Sequence, residues 1–553
     1  MGLIGRLGEW SMRGAEVKGL RVADVNIAGS GACVAGLVGL SDGTVAQCYS
    51  TGAVRGAWYV GGLVGCHHDG IVTDCYSAGT VSSTGGGVGG LVGENQGFVT
   101  YCWSASAVGG IEQDGEVGGL VGYNRGTVTN CCSTSAVRGT GQWWGAVGGL
   151  VGYNDCVDGD GVITHCYSVG LVSATENVGG LVGSSPCDDC DAFVTSSFWD
   201  IQTSGQTSSA GGTGRTTAEM KDPNTFRAAA WDFVGEIQNG THEVWRMPEG
   251  GGYPVLAILH GYTPPQLQGK GTSGDPYLIS DAMELGAMVH CSPHAHYRLA
   301  ASIDLSGIRW ATAVIPLLFY GSFDGDGYTI SHLTINGERP LGLFELLGPE
   351  AEVRNLGVVD VNIVGSSIVG GLAGYNGGAV AQCYSTGAVS GSGSVGGLVG
   401  FSTRSLAQCY SSTAVSGDGA VGGLVGANTG SVTQCYSTGA VSGTRGSIGG
   451  LIGYNNGGTV TQCYSTGVVS GGFGLVGLRE GSEVTACFWD TQTSGQTTSA
   501  GGIGKMTAEM QTAKTFLDAG WDFMGEAVNG TEDIWWILEG KDYPRLWWEA
   551  ANK

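Results

Sequence analysis

The 553-residue sequence predicts an all-β fold, a right-handed parallel β-helix (β-solenoid) in two tandem units, each closed by a small mixed C-terminal cap. Three observations predict it: a short motif that returns at near-constant spacing, 105 glycines with no G-X-Y period, and one tail that occurs twice at a fixed offset of 290 residues.

The period decides the reading of every residue inside it. The string from Val432 to Gly453, VTQCYSTGAVSGTRGSIGGLIG, returns with small changes and places a leucine at Leu37, Leu63, Leu91, Leu120, Leu150 and Leu181. A second series has Leu372, Leu398, Leu424, Leu451 and Leu475. Spacings run 26, 28, 29, 30 and 31 residues, then 26, 26, 27 and 24. Each copy offers three short β-prone stretches, typified by residues 431–437, 440–442 and 448–453, separated by Gly, Ser, Thr and Asn turn residues. None is long enough to be stable alone. Stacked about 4.8 Å apart as the three sides of one coil, they acquire parallel neighbours and share a continuous core. A propeller blade needs about 40 residues or more, and helix is excluded because glycine at this density would cost about 1 kcal/mol per site. Parallel crossovers set the expected right hand.

The tails mark the ends of the units. Phe198-Trp199-Asp200, Trp231-Asp232-Phe233 and Tyr253-Pro254 return as Phe488-Trp489-Asp490, Trp521-Asp522-Phe523 and Tyr543-Pro544. Within them, Thr217 and Thr507 precede Ala-Glu-Met and are expected to N-cap short helices, with the Trp-rich remainder covering the last coil. The expected organisation is a solenoid over 1–199 without its lead-in cap, a cap and linker over 200–261, a lead-in region over 262–350, a second solenoid over 351–490 and a final cap over 491–553. Residues 2–5 and 22–27 resemble 342–345 and 358–363, so the chain reads as starting after a lost lead-in cap. An uncapped stack exposes strand edges, which favours end-to-end self-association.

Composition narrows the function. With 48 acidic against 24 basic residues, a formal charge of −24, the chain is poorly suited to nucleic acid. Cations and neutral glycans remain open as ligands. No apolar run reaches the length of a membrane span, and Met1 is not followed by an export signal.

The GGLVGYN and CYSTGxVSG strings, over roughly 33–199 and 353–490, resemble the GLUG-motif repeats of large bacterial surface and secreted proteins. That resemblance implies an extracellular or cell-surface location and brings no catalytic residues with it.

Several side-chain types recur at one repeat position. Ten of the 17 cysteines form a ladder, Cys48, Cys75, Cys102, Cys131, Cys166, Cys383, Cys409, Cys435, Cys463 and Cys487. Buried reduced thiols are expected there, with Cys156, Cys187 and Cys190 as the exceptions. Next to it runs an aromatic column, with Tyr49, Tyr76, Trp103, Tyr384, Tyr410, Tyr436 and Tyr464 as candidate glycan-stacking residues and a break at Cys132. Whether this column faces inward or outward stays open, with packing favoured over binding. Asn95, Asn124, Asn154, Asn376, Asn428 and Asn455 follow the GLVG core and are expected to hold corners through an amide ladder.

Two insertions on consecutive coils gather Asp155, Asp158, Asp160, Asp188, Asp189 and Asp191, a candidate metal site with calcium as the ion. The tract from His290 to His296 holds four metal-type ligands but matches no structural zinc module, and an exposed loop is expected. No cofactor is required by any motif. The expected function is an extracellular structural and adhesive repeat protein that presents its surface to glycans or to surface or matrix proteins. The alternative is a β-helical polysaccharide hydrolase or lyase using the inserted carboxylates.

Overall fold

The computed structural model describes residues 1–8, 15–110, 115–142, 145–157, 161–186, 193–338 and 340–551. The chain divides into two compact units, residues 1–235 with 243–263, and residues 236–242 with 264–553. Both are parallel β-solenoids.

In the first unit one coil reads Ala32–Ala35, Val38–Ser41, Thr44–Ala46 and Tyr49–Gly56. Each strand joins a different parallel sheet, and the four sheets hold 6, 7, 7 and 10 strands. A coil therefore carries four strands, against the three sides expected from sequence. The extra strand comes from residues 448–453, expected as one side, which fall as Ser447–Gly449 and Ile452–Asn456 in two different sheets, while another boundary moves to just before each ladder cysteine. Gln434 has φ 55°, which ends Ser431–Thr433 and starts Tyr436–Ser437 in a new direction. The same left-handed residue occurs at Gln47, Asp74, Tyr101, Asn130 and His165, and at Gln382, Gln408 and Gln462. Left-handed geometry is uncommon outside glycine, so the corner is held by its neighbours above and below.

Register in the G-L-V-G strands carries over from coil to coil: Val38 pairs with Val64, Val64 with Val92 and Val92 with Val121. Inward side chains form two apolar columns. One stacks Leu37, Val38, Val45 and Cys48 with their equivalents, and the other stacks Val34 and Val54 with theirs. Between them the coil is pinched. A Cβ on Gly62 would lie 2.0 Å from Ser77 Oγ and 2.3 Å from the Gly90 carbonyl oxygen, so the second glycine of each G-G-L must be glycine. The serine of C-Y-S fills the other side of this waist and is buried at Ser50, Ser77 and Ser104.

The thiols form the expected ladder. The Cys48 amide donates to Cys75 Sγ at 3.3 Å, while Cys75 Sγ donates to the Thr73 carbonyl at 3.0 Å. All ten ladder cysteines are buried and unbridged. Burial pushes the thiols of Cys75, Cys435 and Cys463 up, so they stay neutral. At the end of the first unit Ser197 stands in the ladder, its hydroxyl accepting from the Cys166 amide at 3.1 Å. The position needs a small group that both donates and accepts.

The second unit has one continuous core from Ile279 to Trp489. Strands Tyr277–Ile279, His296–Leu299, Ser322–Asp324 and Glu352–Arg354 belong to the same nine-stranded sheet as the repeats. The lead-in region thus supplies coils of the same stack, filled by larger side chains such as Phe319, Phe323 and Phe344. A helix over Ala282–Ala287 starts where Asp281 accepts from the Met283 and Glu284 amides.

Each tail does two jobs. Trp199 and Trp489 take the waist position of Ser168 and Ser465 in the last coil and close it. Thr213–Arg215 and Ile503–Lys505 then lie over the last coil, as expected from sequence, pairing with Phe198–Asp200 and Phe488–Asp490, but the Trp-rich remainder does not. It returns along the flank of the stack as a strap. The helical turns are also shorter than expected: Glu219–Lys221 is a 3-10 turn, and in Thr507–Met510 the threonine is the first helical residue while Met506 occupies the cap.

Candidate functional site

The left-handed residue before each cysteine settles the direction of the aromatic column. It turns the chain so that Cys435 points into the core and the adjacent Tyr436 points out, as strict alternation along a strand requires. The outward rings then stack on one another. Centroids of Tyr384, Tyr410, Tyr436 and Tyr464 are each 4.9 Å apart, with interplanar angles of 12° or less. Tyr49 and Tyr76 stack at 4.7 Å, and Trp103 follows Tyr76 at 6.0 Å.

This column is what the strap covers. In the second unit Met510, Phe516, Trp521, Phe523 and Trp535 pack over Tyr436, Tyr464 and Phe488. The Tyr464 hydroxyl donates to the Pro544 carbonyl, and Tyr543 to Asp490 at 2.7 Å. The first unit repeats the arrangement, with Tyr167 donating to the Pro254 carbonyl at 2.6 Å and Tyr253 to Asp200 at 2.7 Å. Tyr436 and Tyr464 are therefore closed to any glycan. Tyr384 and Tyr410 are half-buried beside Trp548. Tyr49, Tyr76 and Trp103 remain half-exposed; Tyr49 and Tyr76 present ring edges because they stack on each other, while Trp103 is tilted by 36° from Tyr76.

Where the strap meets the open part of the column, each unit has a recess. In the first it is a cavity of about 200 Å³ lined by Trp103, Cys132, Thr134, Tyr167, Pro248, Tyr253, Val255, Leu256 and His260. In the second it is about 310 Å³, lined by Tyr384, Tyr410, Trp536, Asp542, Arg545, Trp548 and Glu549. The two differ in character. Arg545 and Glu549 face the Tyr436 hydroxyl in the second unit, at 3.3 Å and 2.9 Å, whereas the first recess is apolar around the buried Cys132.

Of the inserted carboxylates, only Asp155 lies within the described residues. Burial works against its charge, but the Tyr123 hydroxyl at 2.7 Å and the Arg125 guanidinium at 2.8 Å hold its carboxyl below the usual range. Asp158, Asp160, Asp188, Asp189 and Asp191 lie outside the described residues, as do Cys187 and Cys190. Cys156 is disulfide-bonded. In the histidine tract, His294 stacks on Tyr320 at 4.7 Å and His296 Nδ1 meets Ser322 Oγ at 2.7 Å. Its rings serve separate contacts and do not converge.

Two features were missed at the sequence level. Cys33 and Cys66, both off the ladder, form a disulfide between adjacent coils. Beside it, His68 lies between Asp42 at 3.9 Å and Glu94 at 3.8 Å, and the nearby Glu94 carboxylate raises its pKa. Cys66, His68 and Glu94 are the one group of metal-type ligands close enough to share an ion among the described residues. The Cys66 sulfur, however, is committed to Cys33. The only sequence signal for this cluster was a pair of cysteines out of register with the other ten.

Fold and site together define a parallel β-solenoid whose repeated coil carries a buried thiol on one side and a strapped aromatic column on the other. Two of the coils match the GLUG motif model, at residues 56–82 and 417–442. The chain is similar to Halomucin of Haloquadratum walsbyi, 32% identical over 133 residues, which is 22% of this chain and 2% of that protein. The chain thus spans only a small fraction of this relative's length. Among solved structures it is similar to one from Bacteroides ovatus described as a "putative immunoglobulin A1 protease", with 22% identity, a TM-score of 0.40, and coverage of 51% of this chain and 94% of the other. No helix among the described residues is long and apolar enough to cross a membrane.

Proposed function

We propose that the chain is an extracellular structural and adhesive module whose solenoid flank binds glycans or surface proteins. The observation that carries this reading is the uncovered stretch Tyr49, Tyr76 and Trp103, an outward row of rings at coil spacing beside a strap that hides the rest of the column. Such a row repeats one weak contact along a line, and repetition raises avidity when the spacing fits the target. Tyrosine edges and hydroxyls suit polar, hydroxyl-rich partners.

The Cys33–Cys66 and Cys156 disulfides support an oxidising compartment. Acidity of −24 disfavours polyanionic partners such as nucleic acid and favours neutral ones. The similarity to part of Halomucin is consistent with a repeat module within a larger assembly.

The test is a glycan array combined with a polysaccharide-degradation screen on the full chain, repeated with Tyr76→Ala. Binding that weakens in the variant, without turnover, is the expected result. Turnover of any polysaccharide, or binding indifferent to Tyr76, would overturn the reading.

A further inference from the structure

The two units are internal copies, so each shows what fits the other. Counting back from Phe198 and Phe488, the column pairs Phe198 with Tyr167 and Tyr167 with Cys132 in the first unit, and Phe488 with Tyr464 and Tyr464 with Tyr436 in the second. Cys132 therefore occupies the slot that Tyr436 fills with a ring. The Tyr436 ring sits 4.9 Å from each neighbour, at the spacing of the strands themselves. In the first unit Trp103 and Tyr167 flank the same slot from one coil on either side, and it holds only a thiol.

The strap changes in concert. At the constant offset of 290 residues, Arg545 and Glu549, which hold the Tyr436 hydroxyl, become Val255 and Leu259. The ring and both of its polar partners are thus lost together. What remains is the cavity of about 200 Å³ between Trp103, Tyr167, Tyr253, Val255 and Leu256. Of the polar groups around it, the Tyr167 hydroxyl bonds the Pro254 carbonyl, the Tyr253 hydroxyl Asp200, the Thr134 hydroxyl the Trp103 indole at 3.2 Å, and His260 Nδ1 the Leu256 carbonyl at 3.0 Å. A recess with so apolar a lining favours apolar ligands of matching size.

We propose that this cavity is a binding site for one flat, unsubstituted aromatic ring, which enters between Trp103 and Tyr167 and completes the column. The ligand is a phenyl group, carried by a small molecule or by a phenylalanine side chain of a partner. A phenol is selected against, since no residue corresponding to Arg545 or Glu549 awaits its hydroxyl. This inference shares Trp103 with the adhesive reading but rests on the slot at Cys132, whereas that reading is tested at Tyr76.

The test uses the full chain with fluorobenzene, followed by 19F line broadening and chemical shift, and with phenol as competitor. Fluorobenzene is expected to bind in a saturable way, with phenol about tenfold weaker because its buried hydroxyl is left unpaired. Cys132→Phe fills the slot and is expected to abolish binding. The double substitution Val255→Arg with Leu259→Glu restores the polar partners of the second unit and is expected to invert the preference towards phenol. A short phenylalanine-containing peptide competing as well as fluorobenzene identifies a protein source for the ring. No competition assigns the site to small molecules. Absence of fluorobenzene binding to the unmodified chain up to its solubility overturns the proposal, as does binding retained in folded Cys132→Phe or phenol binding as tightly as fluorobenzene.

Discussion

His67 is the point at which the amide ladder of the first unit is interrupted, and replacing it with asparagine should remove an acid sensitivity built into the core. Its register partners are Ser41 and Asn95. From Asn95 onward the ladder is regular: Asn95 Nδ2 donates to Asn124 Oδ1 at 2.8 Å, and Asn124 to Asn154 at 2.7 Å. Asn95 Oδ1, facing the His67 coil, is buried without a hydrogen bond. His67 is itself fully buried, and burial pushes its pKa down from 6.5 to about 4, with the Gly70 backbone pulling weakly the other way. The unfolded chain therefore binds a proton between pH 6.5 and 4 that the folded chain refuses. The corresponding stability is present above pH 6.5 and is lost as pH falls towards 4, by about 3 kcal/mol at 1.36 kcal/mol per pH unit. His67→Asn removes this dependence and supplies a donor for Asn95 Oδ1, worth about 1 kcal/mol at neutral pH before the smaller side-chain volume is counted. Because a solenoid does not unfold in one step, the assay is native-state hydrogen exchange in Val64–His67 and Val92–Asn95, corrected for intrinsic rates, at pH 7 and pH 4. The protection lost on acidification should be about 3 kcal/mol smaller in the variant than in the original chain. Equal losses in the two proteins would refute the argument, because exposed carboxylates titrate identically in both.

Three further outcomes follow from the same geometry. Gly62→Ala, which drives a methyl group to 2.0 Å from Ser77 Oγ and 2.3 Å from a backbone oxygen, should destabilise the first unit by about 3 kcal/mol, read as a loss of exchange protection in neighbouring coils. Trp521→Ala, removing a fully buried ring that packs 4.5 Å from Trp535 and donates to the Ala486 carbonyl, should cost about 3–5 kcal/mol in strap docking and expose Tyr436 and Tyr464 to oxidative footprinting, with the first unit as an unchanged control. A native thiol titration should find Cys291, the only partly exposed free cysteine among the described residues, and denaturation without reductant should release the ten ladder thiols and Cys132 as well. Oxidised ladder thiols would contradict the hydrogen-bonded arrangement.

The parallel solenoid, the cysteine ladder and the asparagine corners were legible because each is a statement about one position repeated many times. Repetition amplifies a signal that a single Cys or Asn does not carry. What escaped was set by single residues or by contacts distant in sequence. The left-handed corner falls on Gln, Asp, Tyr, Asn and His in different coils, so its side chains show no common type even though its φ is constant near 50° to 55°. Without that corner the aromatic column could not be oriented, and the coil read as three-sided because the G-G-L turn dividing 448–453 between two sheets was not read as a boundary. The strap was misplaced because its Trp, Phe and Tyr residues signal burial but not against which surface. Cys33 and Cys66 stood apart from the ladder, and pairing them requires knowing that positions 33 residues apart lie on adjacent coils.

The aromatic column also explains why a solenoid of small side chains carries so large an aromatic tail. Stacked outward rings leave a continuous apolar ridge, and a long exposed ridge of this kind promotes association. The strap covers the ridge from its C-terminal end; in the first unit it stops at Trp103, short of Tyr76 and Tyr49, and in the second it reaches Tyr384, the first ring of the column, beyond which the register position is Gly357. The length of tail therefore sets how many rings stay open. In the second unit Trp547 and Trp548 extend this cover by donating to Gln408, whereas the first unit has Ala257 and Ile258 at the same positions and ends with His260 against Trp103. The first unit accordingly keeps more of its column open and has lost one ring within it. Along this flank the two copies therefore differ both in the reach of the strap and in the ring missing at Cys132.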